Sequence, residues 1–335
     1  MTIQPNTQSI GCTEQSERSS RKGIPCHTTI RTPLSLSVIS DIHTSDLTDT
    51  CPHKVLLKHE QKTKPVATTA LFKGVLIGKI LECVHEQNHQ DINEEAFEDL
   101  VHELEGEGRI VSDAVLRNKD EILEEIGFVK LKYYEQLMPL FDQCELVGTE
   151  LPCRVKIGDT SFASHIDLLV RDTSNVFGHG EQRLLCIDWK YRQVAPTKAY
   201  LSRHLQMYLY WLMILEGSVM AYKAVDGWVE YGEVPQMLWC HLPYLKPFAR
   251  KTIIKDEDGS EVQYKKGDTR PIHNIMRPVN FKPEAINSMK ADLLDRVAMM
   301  RSGFFPKIPD PVGCQICEAQ DFCARGDTPE LMENK

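Results

Sequence analysis

The 335 residues, 41% hydrophobic and 26% charged, fit an ordinary α/β protein built on one elaborated domain. No stretch approaches the roughly 18 apolar residues that a membrane span needs, so no membrane partner is expected. A net charge of −9 excludes a protein coated in positive potential, though not one that gathers its cations locally.

Residues 1–45 are rich in Ser, Thr, Gln and Pro without a sustained period, and are expected to form a disordered arm. Their polar start does not have the form of a secretory signal, so the chain is expected in a reducing cytoplasm, or the host's if it is phage-encoded. A short helix is predicted after Cys51, with Pro52 following its cap. A stronger helical pattern runs through Leu71, Val75, Gly78, Leu81, Glu82 and His85. Residues 91–142 read as helical and charged, within a helical insertion of about 91–145. Strands are predicted at 153–157 and 161–171 around a Gly158-Asp159 turn, and at 183–191 beyond a Gly-rich loop, the last two as an antiparallel pair. One helix over about 198–216 follows, with Leu205, Leu209, Leu212 and Leu215 on its apolar face. Strands near 219–225 and 236–242, a hairpin turning at Asp258-Gly259 and a helix over about 283–302 lead to a cysteine segment at 310–325 and a tail at 326–335. No internal repeat is visible.

The chemistry centres on Ile187-Asp188-Trp189-Lys190. On a strand, Asp188 and Lys190 project from one face, an awkward pair for a core. They suit a site where a carboxylate holds a divalent metal and a lysine orients water or stabilises developing negative charge. Asp-x-Lys alone is common by chance. Asp167, between Ile166 and Leu168 on the preceding strand, adds a second acid in an apolar run. Such oxygen donors suit Mg²⁺ or Mn²⁺. Gln206 and Tyr210, four apart, share one helical face.

Residues 150–210 resemble the core of the PD-(D/E)XK nucleases, in particular the RecB-like branch. Asp167 matches the first metal-binding acid, Asp188 the second and Lys190 the lysine. Gln206 and Tyr210 match the Gln-x3-Tyr signature, and Glu150 resembles the acid that opens the strand before the first ligand. The resemblance implies an α/β, restriction-endonuclease-like core, with a mixed central sheet flanked by helices and a cluster-bearing subdomain built from both termini. It implies a Mg²⁺- or Mn²⁺-dependent deoxyribonuclease, expected to be an exonuclease on single-stranded DNA or free ends, with a helicase or recombination partner. The expected setting is DNA repair, recombination, or phage or CRISPR DNA processing. The metal set it implies is Asp167, Asp188, the carbonyl of Trp189, and either Glu82 or His85. Gln206 and Tyr210 are expected to position the substrate or support the site. Two departures stand out. His165 occupies a place usually held by glycine, and the residue four after Gly78 is Glu82 where the branch has histidine, with His85 about a turn further on. Lys198, Arg203 and Tyr210 are candidate DNA contacts. So are Arg250, Lys251, Lys255, Lys265 and Lys266; for these, as for Lys198 and Arg203, a solvated face is an equal alternative.

Of the 11 cysteines, Cys83, Cys144, Cys153, Cys186 and Cys240 stand singly on apolar segments and read as small buried hydrophobes. Cys314, Cys317 and Cys323 are packed into ten residues of a Gly- and Pro-rich tail, a spacing that points to metal. The resemblance supplies Cys51 as fourth ligand of a 4Fe–4S iron–sulfur cluster closing residues 46–325 into one nuclease domain. A four-cysteine zinc site is the structural alternative. Two rivals remain: a catalytically silent, cluster-stapled module for DNA or a partner, and a zinc-stabilised protein unrelated to nucleic acid.

Overall fold

In the computed structural model the described residues are 42–43, 51, 66–86, 93–192, 194–221, 227–255 and 261–302. The helix expected after Cys51, the Asp258-Gly259 turn and the cysteine segment lie outside them.

In chain order the elements are β1 (Ile42–His43), β2 (Val66–Ala67), α1 (Thr69–His85), α2 (Glu94–Gly106), β3 (Ile110–Val111), α3 (Asp113–Arg117), α4 (Lys119–Gln136) and α5 (Met138–Phe141). The site-bearing half continues with β4 (Glu145–Ile157), β5 (Thr160–Asp172), β6 (Arg183–Lys190), α6 (Lys198–Leu201), α7 (Leu205–Leu215), β7 (Ser218–Met220), β8 (Trp228–Val229) and β9 (Gln236–His241). A 3-10 turn over Leu242–Leu245, then β10 (Thr252–Lys255), β11 (Glu261–Tyr264), α8 (Ile272–Ile275), β12 (Met276–Val279) and α9 (Pro283–Arg301) complete it.

The expected mixed sheet is present. Its order is β12-β9-β6-β5-β4-β7-β8, with β1 added alongside β5. β6 and β9 run parallel, as do β1 and β5, and the other pairs are antiparallel. β10 and β11 form a separate hairpin. Ile42–His43 fall in the segment read as an arm, yet pair with Phe162 and Ala163.

Helices cover both faces. Leu209 and Met213 of α7 and Leu293 and Val297 of α9 pack on Phe162, Cys186 and Trp239. On the other face, Leu76 and Ile80 of α1 and Ile126 and Tyr133 of α4 meet Leu185, Ile187 and Leu238. β6 is therefore buried on both sides, which is why its sequence is almost continuously apolar. Against that background Asp188 and Lys190 stand out.

Two local features depart from simple patterns. The single helix expected over 198–216 is two. Thr197 caps α6, the chain turns through Ser202, and His204 adopts extended backbone and caps α7, its Nδ1 accepting from Met207 N at 3.4 Å. The apolar period could not reveal that break, because Leu201 and Leu205 keep the spacing across it. In β5, Ile166 enters the α7 core while Leu168, two residues on, enters the α1 core. Regular strands keep such residues on one face, so β5 turns over at Asp167.

Candidate active site

The strand register draws a line of side chains across five strands. Asp188 pairs with Trp239, and Trp239 with Arg277 beyond it. In the other direction the Leu168–Ile187 pair puts Asp167 opposite Asp188. The Thr149–Leu168 and Leu151–Ile166 pairs put Glu150 opposite Asp167. Three acids thus stand on neighbouring strands, about 5 Å apart by the spacing of a sheet.

Asp188 is 0% exposed. Its Oδ1 accepts from Lys190 Nζ at 2.6 Å, and its Oδ2 is buried with no hydrogen-bond partner among the described residues. Burial raises its pKa against the pull of Lys190 and Arg192. Asp167 accepts from the backbone N–H of Trp189 at 2.7 Å. Its pKa is raised well above the ordinary range by burial and then by the Asp188 charge. Burial alone would lower the Lys190 ammonium, but Asp188 and Asp167 outweigh it and hold it protonated. Asp172, at the other end of β5, shows what a structural acid looks like. It is equally buried, but Val176 N and Phe177 N satisfy its two oxygens at 2.8 and 3.0 Å.

Glu150 has φ of 43°, in the left-handed region that a residue with a Cβ rarely adopts. Backbone strain of this kind costs on the order of 1–3 kcal/mol and is concentrated at functional sites. Here it coincides with the turnover of β5 across the ladder. Burial, then Glu82 and Asp188, raise the Glu150 carboxyl, so the acid on α1 belongs to the same group. Glu82 is raised in turn by burial and by Glu86.

The structure separates the two helix candidates. Glu82 is half-buried and faces the acids. His85 is buried, bonds Tyr133 Oη through Nε2 at 2.8 Å, and stacks on the Trp189 ring, its pKa lowered by burial to about 4. The Trp189 side chain therefore faces the α1 core while its peptide N–H faces the acids. From α7, Gln206 Nε2 donates to Tyr210 Oη at 2.8 Å. Tyr210 also bonds Ser164, and burial with the Asp167 and Asp188 charges pushes its hydroxyl well above its ordinary pKa. Arg203 and Lys198 are exposed beside the α6–α7 break, and Arg250, Lys251, Lys265 and Lys266 are exposed at the hairpin base. His165 is exposed on β5, opposite Pro152. Cys51 is a half-buried free thiol, whereas Cys314, Cys317 and Cys323 lie outside the described residues. Cys153, Cys186 and Cys240 are buried in the cores, as expected of single cysteines, whereas Cys83 and Cys144, read in the same way, are only half-buried.

Several neighbours of the site were not foreseen. His204 meets Trp239 edge-on at 5.1 Å, and burial, Lys190 and Arg192 lower its pKa to about 3. His241 is the register partner of Lys190. The polar end of the apolar run Gln236–His241, beside a second strand ending in Asp188 and Lys190, was the available signal.

The donor chemistry fits a divalent cation. Acids stand side by side on adjacent strands, one carboxylate oxygen is buried without a partner among the described residues, and burial and mutual repulsion raise the acids in a way that a nearby cation relieves. Among the described residues no three His, Cys, Asp or Glu groups stand at ligand spacing, so the acids surround the position rather than close on it. A pH dependence follows. Asp167 and Asp188 have folded pKa values above their unfolded ones, so the metal-free protein loses stability as pH rises from the ordinary Asp value of about 3.9 toward the raised values. A cation bound to the ionised acids restores it. Mn²⁺ is expected to raise the melting temperature by about 3 °C or more at pH 8 and by much less at pH 5. An equal shift at both pH values would contradict the coupling.

A mixed sheet carrying an acid on one strand and Asp-x-Lys on the next, flanked by helices on both faces, defines a nuclease core. The PD-(D/E)XK nuclease superfamily model matches residues 45–324, and the chain belongs to that superfamily, whose chemistry is phosphodiester hydrolysis. A comparison with curated proteins returns no match. Among solved structures, a candidate exonuclease from Eubacterium rectale is 9% identical with a TM-score of 0.43, covering 86% of this chain and 88% of that one. A second, SSO0001, is 13% identical with a TM-score of 0.31 at the same coverage. Among the described residues no helix is long and apolar enough to cross a membrane.

Proposed function

We propose that this chain is a Mg²⁺- or Mn²⁺-dependent deoxyribonuclease that works as an exonuclease at DNA ends. The observation that carries this reading is the buried, unpartnered Oδ2 of Asp188, between Asp167 and the ammonium of Lys190. Asp167, Asp188, the Trp189 carbonyl and Glu82 would hold the metal, with Glu150 shaping the charge around it. When bound, the metal supplies a water acidic enough to attack and neutralises charge on the phosphate. Lys190 keeps its proton at Nζ and stabilises negative charge that develops on the phosphoryl oxygens. Gln206 and Tyr210, tied to each other, brace the acids from α7 and do not transfer protons.

Digestion of end-labelled single- and double-stranded DNA with Mn²⁺ tests this directly. Stepwise loss from an end is expected, and internal cuts would replace exonuclease by endonuclease. In the same assay Glu82→Ala is expected to raise the Mn²⁺ needed for half activity about tenfold. His85→Ala should lower stability by about 2–3 kcal/mol, through lost packing and a stranded Tyr133 hydroxyl, with little change in metal dependence. The reverse order would make His85 the ligand.

We also propose that Cys51, Cys314, Cys317 and Cys323 bind a 4Fe–4S cluster, on the strength of their spacing and order. Its role is to fasten the segment preceding α1 to the segment following α9. Cys51→Ala is expected to lose iron and sulfide and to bleach the purified protein, while Cys83→Ala keeps both. A full complement of iron in Cys51→Ala would move the fourth ligand elsewhere, and zinc in place of iron would decide for the structural alternative.

A further inference from the structure

Beyond Lys190 the line across the sheet changes sign. Trp239 carries the Lys190 ammonium and the Arg192 guanidinium, each 5.7 Å from its ring centre. On the same strand His241 is 0% exposed, and neither ring nitrogen has a partner among the described residues. Its ring meets Tyr244 edge-on at 4.4 Å. Tyr244 in turn carries Arg270, whose guanidinium lies 4.1 Å from both the Tyr244 and Phe248 rings. Arg270 donates to the Lys246 carbonyl at 3.0 Å, but its Nε is buried without a partner. Arg277 projects from β12 beside Trp239 and donates to the Pro196 carbonyl.

Guanidiniums gathered around a buried imidazole repel one another. Among the described residues no carboxylate forms an ion pair with Arg192 or Arg270. Burial, Arg277, Arg270 and Arg192 together hold the His241 ring neutral, with its pKa lowered to about 4. A neutral imidazole still has one N–H to donate. The missing counter-charge is an anion, and planar guanidiniums are matched to phosphate oxygens.

We propose that Arg192, Arg270, Arg277 and His241 form a second anion site, which takes a phosphate of the nucleic-acid strand other than the one being cut. This rests on the nuclease reading and extends it. Asp188 to Trp239 is one strand spacing and Trp239 to Arg277 another, so Arg277 springs from the sheet about 10 Å from Asp188. That is the reach of a neighbouring phosphate on the same substrate. The acids repel the strand everywhere except at the metal, and the second site sets its direction.

The test uses the full chain carrying Asp188→Asn, without metal, so that binding is read apart from cutting. Fluorescence anisotropy would follow a single-stranded oligonucleotide with a 5′-phosphate, a 3′-phosphate or neither, across a salt series. Arg270→Gln and Arg192→Gln are each expected to weaken binding about tenfold and to lower the salt slope by about 0.7, as loss of one phosphate contact requires. Arg117→Gln, on α3, should change neither. A loss confined to one phosphorylated end identifies a terminal phosphate, and an equal loss on all three identifies an internal one; both support the site. Unchanged affinity and slope in a folded Arg270→Gln protein would overturn it. Should that variant fail to fold, the exposed Arg192→Gln decides alone. A wild-type chain that binds in this way yet cuts nothing with Mn²⁺ would instead sink the deoxyribonuclease proposal.

Discussion

Asp188→Ala and Lys190→Ala are each expected to lower metal-dependent cleavage by roughly 1,000-fold or more, with the helical and sheet content unchanged. The two variants fail for opposite reasons. Asp188→Ala removes the proposed metal ligand and leaves an ammonium without its nearest anion. Lys190→Ala leaves the carboxylate, which then lacks a partner on both oxygens. The second loss should show in stability as well, since the remaining buried acids are pushed further from their ionised form. Asp188→Asn separates the effects. It keeps the shape and removes the charge, so it should be as inactive as Asp188→Ala and, because it too leaves the Lys190 ammonium without its nearest anion, melt no higher than wild type in the absence of metal, though above Asp188→Ala. Undiminished cleavage in any of the three would sink the site assignment.

The largest effect expected away from the site is at Gly217. A Cβ there would lie 2.1 Å from the Arg154 carbonyl oxygen and 2.9 Å from that of Met213. Neither is the end of a flexible side chain. The end of α7 would have to lift off β4, and Gly217→Ala should cost about 3 kcal/mol, with a fall of several degrees in melting temperature. Because α7 also carries Gln206 and Tyr210, cleavage should fall at temperatures where the protein is still folded. Gly78→Ala, where a Cβ meets nothing within 4 Å, is the matching control and should leave stability unchanged or slightly higher. Equal melting of the two variants would mean that α7 has slack at its end.

The layers of the fold were legible because their signals are local. The helical spacing through Leu71, Val75, Leu81 and His85 marks α1, although its buried stripe also runs through Phe72, Leu76, Ile80 and Val84 and leaves Leu71 exposed, and the uninterrupted run before Asp188 marks a strand buried on both faces. Asp167, Asp188 and Lys190 could be singled out for the same reason, as charges where the pattern calls for carbon. What stayed hidden depends on partners distant in sequence. His85 has the residue type and approximate position of a ligand, and its packing among Tyr133, Phe141 and Trp189 could not be read from its place in the chain. His241 acquires meaning from its strand neighbour Lys190, far back in the chain, and Arg270 from the rings of Tyr244 and Phe248. The break between α6 and α7 rests on the capping geometry of one histidine, which no period records.

The inversion of β5 makes the three acids a proofreader of strand pairing. Because Ile166 and Leu168 feed opposite cores, a slip of one residue between β4 and β5 would set Glu150 against an aliphatic side chain and leave Asp167 facing the wrong partner. Such a misthreaded chain would bury a carboxylate away from its fellows. Only the correct pairing sets all three acids side by side, so a cation bound there, as proposed, would reward the native register and no other.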